Sequence, residues 1–261
     1  LNDVVMNNSP IDIDKLIEGT NEILTANRNS LQLFDMLHSM RQFDDLTYVH
    51  SVNVALIASI LGQWLKFSEK DIRILTISGL LHDIGKIMIP NEILTKPGKL
   101  TVAEYNIMKQ HVNFGYEKVK NQNIDIRIKE ACLLHHEKCD GTGYPFGLKS
   151  DHIPAVAKII AIADVYDAMT SARVYRGALC PFEVIDTMYK DAFTKFEPEY
   201  ILPFLKNVAS SYINNDVRLS DGRIGKVVLI NENALSLPIV QCEDEFIDLS
   251  KTRGLTVSAI L

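Results

Sequence analysis

The sequence is short of cysteine, of basic charge and of long apolar runs, and each shortage removes a class of protein. Its 261 residues hold four cysteines, Cys132, Cys139, Cys180 and Cys242, with no C-x-x-C pair. Neither a disulfide framework nor a thiolate metal knuckle is expected, and the thiols read as reduced in a cytoplasmic protein. Lys and Arg total 27 against 33 Asp and Glu, a net charge of -6, so no basic field exists to hold a nucleic-acid polymer. The most apolar run, VALIASILG at 54–62, gives way to Gln63 and Lys66. It falls far short of the ~20 residues a membrane span needs. LNDVVMNNSPIDID at the start lacks a basic flank leading into an apolar block, and no secretory signal is expected there.

What is present suits a packed core: 47% hydrophobic and 23% charged residues, in a length that allows one large domain or one plus a small one. From Ile11 to about Ser211 the apolar spacing is helical, in IDKLIEGTNEIL, VNVALIASILGQWL and IRILTISGLLHDI. SEKD at 68–71 carries a helix-start signal. Pro97-Gly98 breaks the pattern, and DGTGYPFGLKSDHIP, with three glycines and two prolines in 15 residues, reads as a long specialised loop. After Asn214, DVRLSDGRIGKVVLI offers a strand, an Asp221-Gly222 hairpin turn and a second strand, followed by LPIVQC and FIDLS. The expected units are an N-terminal helical segment 1–40, a mainly helical domain 41–214 and a small β-rich module 215–261 that caps helix faces.

Histidine carries the chemistry. Of the seven, His50, His82, His111, His135 and His136 fall in or beside apolar helical stretches. Any one of them alone reads as a hydrogen-bonded core residue. Five imidazoles buried with Asp83 and Asp164 would cost several kcal/mol for each unpaired charge, against a fold stability of ~5 to 15 kcal/mol. A shared cation removes that conflict. Nitrogen and carboxylate donors without thiolate suit Fe, Mn, Ni or Zn.

His82 and Asp83 adjoin, as do His135 and His136; about 100° apart on a helix, such neighbours can face one cavity, and a carboxylate can bridge two ions. Lys86 lies i+4 from His82 and i+3 from Asp83 and projects over the same patch. Asp164, Asp167 and Ser171 form a polar stripe, in which Asp167 alone reads equally as a cap or salt bridge, and Arg173 and Arg176, which by spacing alone read as a solvated basic face, could form a second cationic edge. Metals with a lysine and two arginines define a site for a phosphate-bearing substrate, and hydrolysis by a metal-bridging hydroxide is the natural chemistry.

In order, HSVNVA from His50, HDIGK from His82, HVNFG from His111, HHEKCDGTGYP from His135 and IADVYDAMTSARVYR from Ile162 resemble the signature of the HD-GYP domains. These are HD-superfamily phosphodiesterases that hydrolyse the bacterial second messenger cyclic di-GMP. The likeness is strong from about His50 to Arg176 and looser to about Ser211. It implies a mainly α fold, an HD-type helical bundle around a metal site, with the β-rich module appended. It implies metal ligands at His50, His82, Asp83, His111, His135, His136 and Asp164, with Asp83 bridging, and catalytic roles for Asp83 and Lys86. Lys86, Tyr144, Asp167, Arg173 and Arg176 are implied to lie near the dinucleotide, with Gly143 and Pro145 shaping their loop.

The implied product is pGpG, with GMP as a further one, and the implied partners are cyclic di-GMP, a second copy of the chain, and a protein such as a diguanylate cyclase domain at the Gly143 to Pro145 loop. A glutamate that completes a third metal site in some members is replaced here by Leu46. Asp45 is one residue off register, so two divalent ions are expected, iron or manganese before zinc or nickel. Val112 stands where the family often has proline.

Overall fold

The computed structural model describes residues 10–12, 14, 16 and 18, then 46–171 and 178–261, with side chains from Val49 onward in the second of these stretches. Its helices are α1 (Leu46–Trp64), α2 (Glu69–Leu81), α3 (Asn91–Leu94), α4 (Val102–Met108), α5 (His111–Val119), α6 (Ile126–Leu134), α7 (Ala155–Thr170), α8 (Pro181–Asp191) and α9 (Pro198–Ser211). Short 3₁₀ turns occupy Ile84–Met88 and Ser150–His152. The expected segment 1–40 lies outside the described residues apart from the six positions given; of these, Ile11 and Leu16 pack against the core.

Local chemistry sets several starts. Ser68 caps α2 by accepting from the Asp71 amide at 3.2 Å, as SEKD predicts. Thr101 and Glu104 form a reciprocal capping box on α4, and α8 and α9 each open on proline. Helix α1 is apolar on most of its circumference, with Val54, Ala55, Leu56, Ile57, Ala58 and Leu61 sealed from solvent, so it runs through the middle of the bundle. It packs on α2 and α7. Helices α5 and α6 close one side of this group, and α9 lies against α1 on another.

The C-terminal residues form five short antiparallel strands, β1 (Asp216–Leu219), β2 (Ile224–Leu229), β3 (Ile239–Cys242), β4 (Glu245–Asp248) and β5 (Val257–Ile260), in the order β4-β3-β2-β1-β5. Gly222 turns the β1–β2 hairpin with φ +93°, a left-handed backbone that favours glycine. Val217, Val227, Val240 and Val257 on the buried face join one continuous core with the helices. Strand β5, pairing with β1, was not anticipated. The four cysteines are free thiols. Among the described residues no helix is long and apolar enough to cross a membrane.

Candidate metal centre

Two helices stop where the sequence suggested they would continue. Helix α2 ends at Leu81 with His82 as its C-cap, so Asp83 sits in the joint to the 3₁₀ turn. Helix α6 ends at Leu134 with His135 as its C-cap. The adjacent pairs therefore lie at helix termini and not, as read from the sequence, along a helical face. Gly85 explains the first break: a Cβ there would lie 2.0 Å from the His111 carbonyl oxygen and 2.4 Å from the Gly115 amide. Only a glycine lets the turn touch the α5 backbone.

Three of the histidines anchor Nδ1 on carbonyls in the last turn of the helix that precedes them. His82 Nδ1 bonds Gly79 O at 2.7 Å, His111 Nδ1 bonds Met108 O at 2.7 Å, and His135 Nδ1 bonds Ala131 O at 3.0 Å. A carbonyl can only accept, so each Nδ1 donates its proton there and the ring turns its Nε2 inward. His50 is held differently, by Asp167 Oδ2 at 2.7 Å from its Nδ1. This backing of Nδ1 by carbonyl or carboxylate is what orients histidines toward a metal.

The inward atoms converge on carboxylates. Asp83 Oδ1 lies 3.3 Å from His111 Nε2 and 3.9 Å from His135 Nε2; its Oδ2 lies 3.2 Å from His82 Nε2 and 3.6 Å from His50 Nε2. Asp164 Oδ1 lies 3.1 Å from His50 Nε2, off hydrogen-bonding geometry. Two groups result, Asp83 with His111, His135 and His136, and His50 with His82 and Asp164, each with its ligand atoms within 4.8 Å of one another.

Protein contacts do not satisfy this arrangement. The Nε2 atoms of His50, His82, His111 and His135 and Oδ1 of Asp83 are buried without a hydrogen-bond partner among the described residues. Lone pairs facing carboxylate oxygens in a dry interior repel unless a cation lies between them. The orphaned atoms, the nitrogen and oxygen donor set and the absence of thiolate fit divalent ions.

The electrostatics agree. Burial, with repulsion from His136, His82 and His111, drives His135 well below the usual imidazole range; burial likewise lowers His111 and takes His136 down to about 3. Neutral rings are ligands, and protonated ones are not. Burial opposes ionisation of Asp83, yet His82 and Lys86 hold its carboxyl well below the usual carboxylate range. His50 is the exception: burial would lower it, but Asp164 and Asp167 raise it to about 9. A proton there takes the place a cation would occupy.

The other expected residues divide. Lys86 projects over the patch as expected and pairs directly with Asp83 Oδ2, its side chain 21% exposed. Tyr144 stacks on His136, ring centroids 4.7 Å apart at 27°. Asp167 does not face the cavity: it is 1% exposed, with Oδ2 taken by His50 and Oδ1 accepting from Asn53 at 2.9 Å and Ser171 at 3.1 Å. Its hydrogen bonds hold the ring of His50, whereas the resemblance implied a place near the dinucleotide. Arg173, Arg176 and Asp45 lie outside the described residues, as does the side chain of Leu46.

Glu137 was missed. It is buried at 4% exposure, and its carboxylate accepts from the amides of Phe146 at 2.7 Å, Gly147 at 3.1 Å and Leu148 at 2.9 Å. Gly143 packs against the same stretch, where a Cβ would meet His136 O and Glu137 Cα at 2.5 Å. These contacts shape the loop that carries Tyr144. Glu137→Gln turns an amide NH₂ toward backbone donors and is expected to cost about 1–3 kcal/mol. Hydrogen exchange should quicken at Phe146, Gly147 and Leu148 while metal content holds; unchanged protection there would refute the role.

Comparison with known proteins places this architecture. The HD domain family model matches residues 17–200, and the chain belongs to the HD-domain family. It is 36% identical over 203 residues to a cyclic di-GMP phosphodiesterase of Pseudomonas aeruginosa, covering 77% of this chain and 49% of that protein. It is 32% identical over 188 residues to a 3'3'-cGAMP-specific phosphodiesterase of Vibrio cholerae, covering 70% and 36%. A solved HDG"Y"P protein from Bdellovibrio bacteriovorus shares the fold, with a TM-score of 0.57 at 19% identity, over 74% of this chain and 63% of that one. The chain spans about half the length of the curated relatives it matches. The HD-GYP resemblance read in the sequence is borne out.

Proposed function

We propose that residues 41–214 are a catalytic domain that hydrolyses cyclic di-GMP to linear pGpG, with GMP as a further product, and that two divalent ions, iron or manganese, occupy the two ligand groups. The observation that carries this is the set of four inward-facing, unpartnered histidine nitrogens around Asp83. Relatives named as cyclic di-GMP and 3'3'-cGAMP phosphodiesterases support the substrate class.

His111, His135 and His136 would hold one ion and His50, His82 and Asp164 the other, with Asp83 shared between them. Bound there, the ions supply Lewis acidity and an activated water for attack on phosphorus. The chain's own part is positional and electrostatic. Asp167 fixes the ring of His50, and backbone carbonyls fix the other three rings. Lys86 places an ammonium beside Asp83, where it can meet a non-bridging phosphate oxygen and stabilise charge building there. Arg173 and Arg176 are assigned the same duty from the sequence motif. Tyr144, stacked on His136, walls the cavity on the loop side.

The test is anaerobic purification, reconstitution with ferrous or manganous ions, and chromatographic analysis of products from cyclic di-GMP. Conversion to pGpG is expected. Tight binding with full metal occupancy and no product would overturn hydrolysis in favour of a non-catalytic receiver.

A further inference from the structure

A line of rings leads out of the metal cluster. His136 stacks on Tyr144, and Tyr144 meets Tyr105 edge to face, centroids 6.5 Å apart at 81°. Tyr105 lies on α4 and is 49% exposed, a large share for a tyrosine in contact with the ring that stacks on a candidate ligand. Lys109, one helical turn on, holds its ammonium 5.3 Å from the Tyr105 centroid and 6.0 Å from that of Tyr144. No carboxylate pairs with Lys109 among the described residues. The first turn of the helix that carries Tyr105 is fixed locally, where the Glu104 carboxylate closes the Thr101 cap and takes Lys96 at 2.6 Å, and Lys109 is its C-cap. The result is an exposed aromatic ledge with a cation at its edge that no carboxylate neutralises among the described residues, one ring beyond the candidate ligands. None of the catalytic roles assigned above uses it.

Such a ledge suits a nucleobase. When a phosphate lies at the metals, the base joined to it through one ribose must leave the cluster in some direction, and an exposed ring offers a face that any base can stack on. The cation adds discrimination. Guanine presents two adjacent acceptors, O6 and N7, whereas adenine presents one acceptor beside an amino donor. An ammonium favours the first and is partly repelled by the second.

Resting on the cyclic-dinucleotide reading above, we propose that Tyr105 and Lys109 form the base-selecting subsite: Tyr105 stacks a purine, and Lys109 donates to the O6/N7 edge and so selects guanine over adenine. A family whose relatives are named for cyclic di-GMP and for 3'3'-cGAMP needs such a determinant somewhere, and here it lies outside the metal ligands.

The experiment measures dissociation constants of non-hydrolysable phosphorothioate analogues of cyclic di-GMP and cyclic di-AMP on the metal-loaded chain, beside Lys109→Met and Tyr105→Leu. The native chain should prefer the guanine analogue. Lys109→Met, which keeps the aliphatic stem, should weaken that analogue by about 10- to 100-fold, the range of a lost charge-assisted hydrogen bond, and leave the adenine analogue within about twofold. Tyr105→Leu should weaken both by about tenfold or more. Equal losses for both analogues in Lys109→Met, no loss, or no binding of either analogue by the native chain would overturn the proposal. Turnover is read separately: lysine-dependent guanine preference without hydrolysis would leave this inference standing and remove the phosphodiesterase, whereas hydrolysis without that preference would do the reverse.

Discussion

Asp83→Ala is expected to lower cyclic di-GMP turnover by about 1,000-fold or more, because it takes away the carboxylate that lies against four of the five candidate ligand histidines. Its two oxygens lie within 3.9 Å of four histidine nitrogens, one oxygen toward His111 and His135 and the other toward His82 and His50. Without that charge the imidazoles around it have little to hold a second cation near the first, and Lys86 loses its partner. Metal analysis of the variant should show the loss directly. Asp151→Ala is the control: Asp151 is exposed and pairs with the exposed His152 at 2.8 Å, so turnover and metal content should match the native chain. Equal effects of the two substitutions would mean that carboxylate charge in general is being read, and not the centre.

Gly85→Ala is expected to be the most disruptive change that alters no ligand. The added methyl would lie 2.0 Å from His111 O, 2.4 Å from the Gly115 amide and 3.0 Å from Gly115 Cα. All three are backbone atoms, which cannot rotate aside as a flexible side-chain tip can. The turn Ile84–Met88 must move off α5, at a cost of about 3 kcal/mol or more. For a chain of this size that corresponds to a fall in Tm of roughly 6–12 °C. The displacement also separates Asp83 from His111, so metal affinity should fall with stability. Thermal melts with and without added manganese check both: the native chain should gain from the metal and the variant should gain little. A variant with native Tm would show that turn and helix do not meet as described.

The His/Asp cluster was legible because it is chemical: histidines and carboxylates crowded into apolar segments have few other uses, and their order along the chain matched a known signature. The places where helices end were not. LLHDI and LLHHE contain no proline or glycine before their histidines, and what stops α2 is a contact between Gly85 and a helix some 25 residues on. The polar stripe of Asp164, Asp167 and Ser171 was legible as a stripe. That Asp167 lies behind His50 and not before the cavity depends on where α1 crosses α7, which period alone does not fix. Glu137 carries no local signal, since its three amide partners lie 9 to 11 residues downstream. Strand β5 is four residues, VSAI, whose partner β1 is about forty residues away, too remote for local pattern to reveal.

Metal stoichiometry measures directly whether Asp83 joins two ions in one centre, as proposed. The chain would be stripped with chelator, reconstituted anaerobically with manganese, desalted and assayed for metal per chain beside Asp83→Ala. Two ions per native chain, with both lost or strongly weakened in the variant, is the predicted result. A single ion in the native chain, or two that survive the loss of Asp83, would contradict it.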